Sequence, residues 1–244
     1  MLRTALIGSE FPVDEPRLSI IVPVLNDAAA LRALLPQLVE FRARGAELIV
    51  VDGGSTDASR SVAEAADQVL LAPRGRALQQ HAGAQAASGE ALWFLHADSG
   101  VPQGADSLIL HALRGAAWGR FNVQLAGRSR WLPMVAAFMN ARSRLTGIAT
   151  GDQGIFINRK TYFAAGGFPA IALMEDIALS AKLKRVSKPA CLRQIIISSG
   201  RRWDARGALS TIAQMWWLRL QFWAGVHPSK LHKQYYQAKE KTYD

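Results

Sequence analysis

Three continuous runs, at residues 18–24 (LSIIVPV), 48–51 (LIVV) and 91–95 (ALWFL), apolar throughout but for Ser19, constrain this chain more than any other feature. A strand wetted on one face alternates apolar and polar residues. A strand apolar at every position is covered on both faces, as in parallel sheets sandwiched by helices. The segments between the runs have helical spacing. After Asn26 and Asp27, two residues suited to cap a helix, come Leu31, Leu34, Leu35, Leu38 and Val39 on one face, and Gly45 closes the segment. Pro36 lies inside it and is expected to kink or split the helix. A helix over roughly 59–66 leads to a run at 69–72, and a small-residue helix over 77–87 leads to the third long run. Strand and helix alternate as far as Leu95. This predicts an α/β fold, a mostly parallel sheet with helices on both faces.

Such sheets bind ligands beyond the carboxyl ends of their strands. Asn26 and Asp27 follow the first run, Asp52, Gly53, Gly54, Ser55, Thr56 and Asp57 the second, and His96, Ala97, Asp98 and Ser99 the third. Glycines at Gly53 and Gly54 allow a tight turn and close approach of backbone to ligand. A carboxylate there can accept hydrogen bonds from a base or from ribose hydroxyls. An ordinary Asx turn is the bland alternative, and VVDGGS also reads as the cofactor loop of a methyltransferase. Asp98 alone cannot hold a metal firmly, but Mg²⁺ or Mn²⁺ bound to a nucleoside diphosphate takes its other ligands from phosphate and water. His96 is either a further ligand, better suited to Mn²⁺, or the commoner satisfied histidine at a strand end. Arg74 and Arg76, ahead of a helix, read as a diphosphate clamp or as a solvated basic turn. Glu175 and Asp176 lie among apolar neighbours, where burial can raise one pKa toward that of a useful base, or where a helix N-terminus collects acids.

The second half changes character. Residues 120–126 alternate weakly, as an antiparallel strand would; 151–158 (GDQGIFIN) read as a strand entered through a glycine-rich turn; 195–198 read as one more. These predict a mixed extension on the acceptor side of the same sheet. The 244 residues, half of them apolar, suffice for one large domain with a tail and exclude a disordered chain. The expected division is a lead-in at 1–17, a domain at 18–200 and a helical tail at 201–244. One cysteine, Cys191, excludes an intrachain disulfide and a four-cysteine zinc site, and points to a reducing cytosol. No secretory signal is legible, and no run of ~18 apolar residues predicts a spanning helix.

Charge is unevenly spread. Residues 1–181 carry 16 basic and 16 acidic side chains, whereas 182–244 carry 13 and 3 and hold Trp203, Trp216, Trp217 and Trp223. A basic, aromatic tail fits an anionic surface. No nucleic-acid motif is present, so a lipid surface is the partner expected; a purely non-catalytic membrane-binding module is the corresponding alternative function. On a helical projection of 209–223, Leu209, Ile212, Ala213, Trp216, Leu220 and Trp223 share the face expected to pack on the domain. Met215, Leu218 and Phe222, with Trp217 at the polar edge, would then rest on the membrane without crossing it, together with Lys230, Lys233, Lys239 and Lys241 and near Tyr235 and Tyr236.

VPVLN, VVDGGSTD, the strand ending in HADS, GDQGIF and MED, in this order, resemble a family 2 glycosyltransferase of the GT-A fold over about residues 18–180. The segment 73–99 and the tail WLRLQFWAGVHPSKL resemble the subgroup linked to arsenosugar biosynthesis. The resemblance implies a Rossmann-like three-layer sandwich and an inverting, metal-assisted transfer from a nucleoside-diphosphate sugar to an acceptor hydroxyl. It implies that Pro23 and Asn26 line the nucleotide pocket, that Asp52 contacts the base with Gly53 and Asp57 in the same turn, and that Ala97 and Arg76 lie along the donor. Asp98 matches the last acid of the DxD motif and would hold Mn²⁺ or Mg²⁺. Asp176, beside Glu175, matches the acid of the ED motif and would be the base. His96 stands where many members have Asp, and Asp27 where many have Glu.

Overall fold

The computed structural model describes residues 17–240; the expected lead-in, apart from Arg17, lies outside them. Seven strands form one sheet: β1 (Leu18–Val24), β2 (Ala46–Asp52), β3 (Gln68–Leu71), β4 (Ala91–Phe94), β5 (Trp118–Ala126), β6 (Phe156–Asn158) and β7 (Ala190–Ser199). The helices are α1 (Ala28–Ala43), α2 (Ser59–Ala63), α3 (Arg76–Ala86), α4 (Ala105–Ala112), α5 (Leu132–Thr146), α6 (Arg159–Ala164), α7 (Glu175–Val186), α8 (Arg201–Arg206), α9 (Ala208–Trp223) and α10 (Pro228–Glu240). The sheet order is β3-β2-β1-β4-β6-β5-β7. The strands β3, β2, β1 and β4 are mutually parallel, and β6 runs against both its neighbours, β4 and β5.

The uniformly apolar runs have two buried faces. Ile20, Val22, Leu48, Val50 and Trp93 meet Leu31, Leu34, Leu38 and Phe41 of α1 and Ile109 of α4. Their neighbours Ile21, Ile49, Val51, Leu92 and Phe94 meet Ala77 and Ala84 of α3 and Leu179 and Leu183 of α7 on the other side. The result is a three-layer α/β sandwich. Gly83 brings α3 close to the sheet: a Cβ there would lie 2.5 Å from Ile21 Cγ2 and 3.0 Å from Val51 Cγ2. Val24 pairs with Asp52 and Ile21 with Phe94, so the loops after β1, β2 and β4 leave the same edge together.

Several local expectations are corrected. Pro36 does not split α1. It sits on the exposed face with Arg32, whose carbonyl loses its intrahelical partner where water can replace it. Val39 shares the apolar run of α1 but is 58% exposed, and Phe41 takes the core position. Neither Asn26 nor Asp27 caps α1 with its side chain. Asp57, from the next loop, accepts the Ala28 N–H at 3.1 Å instead. The strand β5 pairs antiparallel with β6 but parallel with β7, because alternation reports a half-exposed face and says nothing of a partner's direction. The last strand is also longer than expected, beginning at Ala190.

The tail largely reverses its expected orientation, although Ile212 packs on the domain as expected, against the cluster of Val123, Leu125 and Leu132. Leu218 is buried, and Met215 and Phe222 pack beside it with Leu231 and Tyr235 of α10 and Ile177 of α7. Trp216, Trp217, Leu220 and Trp223 are 57–75% exposed. A helical projection tells which residues share a face; which face is covered depends on the surfaces already there, here α7 and the returning α10. The side chains of Leu209, Tyr236, Lys239 and Lys241 lie outside those described. Among the described residues no helix is long and apolar enough to cross a membrane.

Candidate active site

The loops after β1 and β2 are stitched together at the edge of the sheet. Asp52 is 2% exposed and accepts the backbone N–H of Ser55 at 3.1 Å and its hydroxyl at 2.5 Å. The Ser55 hydroxyl oxygen accepts the Asn26 N–H at 2.9 Å, and the Asn26 side-chain oxygen accepts the Thr56 N–H at 2.7 Å. Asn26 reaches that position in left-handed backbone, φ +49°, a conformation its short polar side chain tolerates. Bonds from Ser59 hold the Asp57 carboxyl below the usual range, so both its oxygens are engaged by the ends of α1 and α2. Gln79 of α3 completes the floor, donating to the carbonyls of Val24 at 2.8 Å and Val51 at 2.9 Å. A Cβ on Gly53 would lie 3.0 Å from its amide. Pro23 is half-buried within β1 and Ala97 is buried after β4.

Asp98 faces this floor from the end of β4. One guanidinium nitrogen of Arg201 lies 3.0 Å from Asp27 Oδ2 and 3.5 Å from Asp98 Oδ2. Two carboxylates therefore converge on one positive charge. Hard oxygen donors so arranged fit Mg²⁺ or Mn²⁺ carried in by a diphosphate, with phosphate and water completing the shell. Among the described residues no group of three or more His, Cys, Asp or Glu side chains gathers to hold a metal unaided. His96 sits differently. Its Nδ1 lies 3.2 Å from Asp152 Oδ1, and its Nε2 is buried against Gly151, where an added Cβ would come within 2.5 Å. The nitrogen left without a partner among the described residues is therefore Nε2, while Nδ1 is held by Asp152. Burial raises the Asp152 pKa, but His96, Arg76 and Ser198 outweigh it and hold that carboxyl well below the usual range.

The acidic pair opens α7. Met174, buried and at φ +70°, turns the chain into the helix; a bulky residue there is strained, a feature that clusters at functional sites. Asp176 Oδ2 accepts the Gly151 N–H at 2.8 Å and Oδ1 accepts the Ile177 N–H at 2.7 Å. Glu175 is buried, with Arg76 at 3.8 Å. Burial and then the charge of Asp176 push its pKa up, more than Arg76 lowers it. A cavity of about 720 Å³ opens beside the pair, lined also by Arg76, Asp152, Arg142 and Arg219 and by apolar residues of α5 and α9.

The structure thus brings Arg76, Glu175 and Asp176 to one cavity and gathers Pro23, Asn26, Asp52, Gly53, Asp57, Ala97 and Asp98 at the strand ends. Asp152, the partner of His96, lines that cavity as well. Sequence reasoning missed Gln79, Asp152 as a partner of His96, and the arginines Arg142, Arg201 and Arg219. Gln79 reads as an ordinary helix residue, although its position one turn into a helix that follows a strand was a usable signal. The arginines come from α5, α8 and α9, and no local pattern points them at the site.

The sequence model of the family described as Glycosyl transferase family 2 matches residues 19–166. Among solved structures, S. aureus TarS 1-349 superposes with a TM-score of 0.59 and 17% identity, over 75% of this chain and 60% of that one. Its complex with UDP-GlcNAc gives 0.59 and 17%, over 75% and 58%. The mannosyltransferase PcManGT from Pyrobaculum calidifontis, in complex with GDP-Man and Mn²⁺, gives 0.56 and 22%, over 78% and 60%. At these identities the likeness is one of fold. The chain spans about 60% of the length of these structures. No curated protein matches the sequence significantly.

Proposed function

The chain belongs to glycosyl transferase family 2 and has the GT-A fold, and we propose that it moves a sugar from a nucleoside-diphosphate sugar to an acceptor hydroxyl in one inverting displacement. Membership sets aside the methyltransferase reading of the VVDGGS loop. The observation that carries the proposal is Asp176, a carboxylate fixed by two backbone N–H groups at the wall of a large cavity beside the strand ends.

In this reading the base of the donor lies against Asp52, in a pocket edged by Pro23, Asn26, Gly53 and Asp57. The diphosphate runs past Ala97 toward Arg76. Asp98, with Asp27, would hold Mn²⁺ or Mg²⁺, which when bound offsets the charge of the departing diphosphate. Asp176 takes the proton of the acceptor hydroxyl as its oxygen bonds to the anomeric carbon. The bond from that carbon to the phosphate oxygen breaks, and the nucleoside diphosphate leaves with the electron pair. Glu175 fixes Arg76 behind the base. Burial and the neighbouring charge of Asp176 push its pKa up.

The narrower subgroup linked to arsenosugar biosynthesis is supported by residues 73–99 and by the tail. Residues 18–200 form the catalytic domain in this proposal, and 201–244 hold it on the cytoplasmic face of an anionic membrane. The exposed Trp216, Trp217, Leu220 and Trp223 support that placement. The test is a panel of UDP- and GDP-sugars with Mn²⁺ or Mg²⁺, read by thermal shift and by donor hydrolysis. One nucleotide class is expected to stabilise the protein and to be hydrolysed; no stabilisation by any member would refute the proposal.

A further inference from the structure

The cavity beside Asp176 is larger than a sugar hydroxyl needs, and its walls have two characters. Met134, Phe138 and Leu145 from α5 and Ile212, Met215 and Trp216 from α9 make most of it apolar. Into the same space come Arg142 and Arg219. Nε and one Nη of Arg142 and Nε of Arg219 are buried and meet no acceptor among the described residues. Burial lowers both guanidinium pKa values, and the charge of Arg219 helps to bring Arg142 to about 10, so Arg142 stays charged at neutral pH. The opposing charge they feel is chiefly that of Asp176, whose oxygens already accept backbone N–H bonds.

Buried guanidinium groups without acceptors are costly unless an anion meets them. A neutral polyol would leave that charge unanswered, and a small inorganic anion would leave the apolar walls in water. A ligand that satisfies both carries an acidic group and an apolar body. The walls continue outward to Phe138, Leu145 and Trp216, which are 69%, 86% and 68% exposed, so a long body can leave the cavity there.

We infer that the acceptor is an anionic amphiphile, a hydroxyl-bearing lipid whose phosphate or carboxylate is held by Arg142 and Arg219 and whose chain lies between α5 and α9. The inference rests on the glycosyltransferase reading and names its acceptor class. Asp176 lines the same cavity as both arginines, so a ligand held by them carries its hydroxyl into the space the base faces.

The test titrates the full chain with dodecyl phosphate, dodecyl maltoside, butyl phosphate and inorganic phosphate, all below micelle formation. Tryptophan fluorescence and calorimetry are the readouts, since Trp203 and Trp216 line the cavity. Dodecyl phosphate is expected to bind at least tenfold more tightly than each of the other three, and R142Q/R219Q to bring it to the level of the maltoside. Equal affinity for phosphate and maltoside would overturn the anionic group; equal affinity for butyl and dodecyl phosphate would overturn the lipid body. A preference that survives in the folded double variant would overturn the arginine assignment. The wild-type comparison decides the ligand class even where a variant does not fold. UDP and GDP binding is measured in parallel. Binding of neither nucleotide alongside a dodecyl phosphate preference would sink the glycosyltransferase reading and with it the acceptor role, leaving only an amphiphile site, whereas nucleotide binding without that preference would sink only the inference.

Discussion

At the scale of single residues, the acidic pair of α7 divides into two roles because its members have different surroundings. Asp176 accepts two backbone N–H bonds, whereas Glu175 is buried with a raised pKa. Asp176→Asn keeps the shape and removes the proton acceptor. Donor affinity should persist while transfer falls ~10²–10⁴-fold, the usual contribution of a positioned base; steady-state rates beside donor calorimetry check this. Asp98→Ala should erase the difference in nucleoside-diphosphate affinity measured with and without Mn²⁺. A wild-type protein that binds equally well in both conditions would count against the metal. Glu175 makes a stability prediction. Its folded pKa lies above the ordinary glutamate value of 4.5, so between the two the folded state holds more protons and stability falls as pH rises. Glu175→Gln should therefore melt higher than wild type at pH 8, with the gain vanishing near pH 4. Asp52, Asp98 and Asp176 were legible in the sequence because each follows an apolar strand or opens a helix. The pairing of His96 with Asp152 was not, since the two lie 56 positions apart in the chain.

At the scale of elements, apolar runs announced β1, β2 and β4, because burial on both faces favours apolar residues at nearly every position; β1 keeps the bounds of its run and β4 stops one residue short of it, while β2 extends to Ala46 and Asp52. Shorter or edge elements were less legible. The helix α2 ends at Ala63, and β7 carries exposed Ile195 and Ile197 that blur its pattern. Close approach of α3 to the sheet depends on Gly83. Gly83→Val should force the helix outward and destabilise the fold by about 1–3 kcal/mol, as overpacking typically does. Chemical denaturation measures it, and an unchanged midpoint would mean that the helix shifts freely. The same displacement moves Gln79, so loss of nucleotide affinity should accompany the loss of stability.

At the scale of the whole molecule, the basic residues of the last quarter and the exposed tryptophans of α9 share one end of the chain. If that end rests on lipid, binding should favour anionic over neutral liposomes and weaken with salt, as each lysine near such a surface contributes ~1 kcal/mol. Co-sedimentation at low and high salt tests it; no pelleting with anionic liposomes at low salt would leave the tail as packing alone. The face of α9 available for this could not be taken from its own residues, because both of its sides are apolar and the choice was made by α7 and α10. By itself the sequence determined the alternation of strand and helix, the parallel half of the sheet and the acids at its carboxyl edge. Those properties follow from burial pattern and chain direction, which are local. Tertiary structure alone decided that Asp57 caps a helix from the neighbouring loop, that Arg201 spans Asp27 and Asp98, and that Arg142 and Arg219 enter the cavity of Asp176. Each of these joins side chains from separate elements, and only the packing of one element on another fixes where such side chains meet.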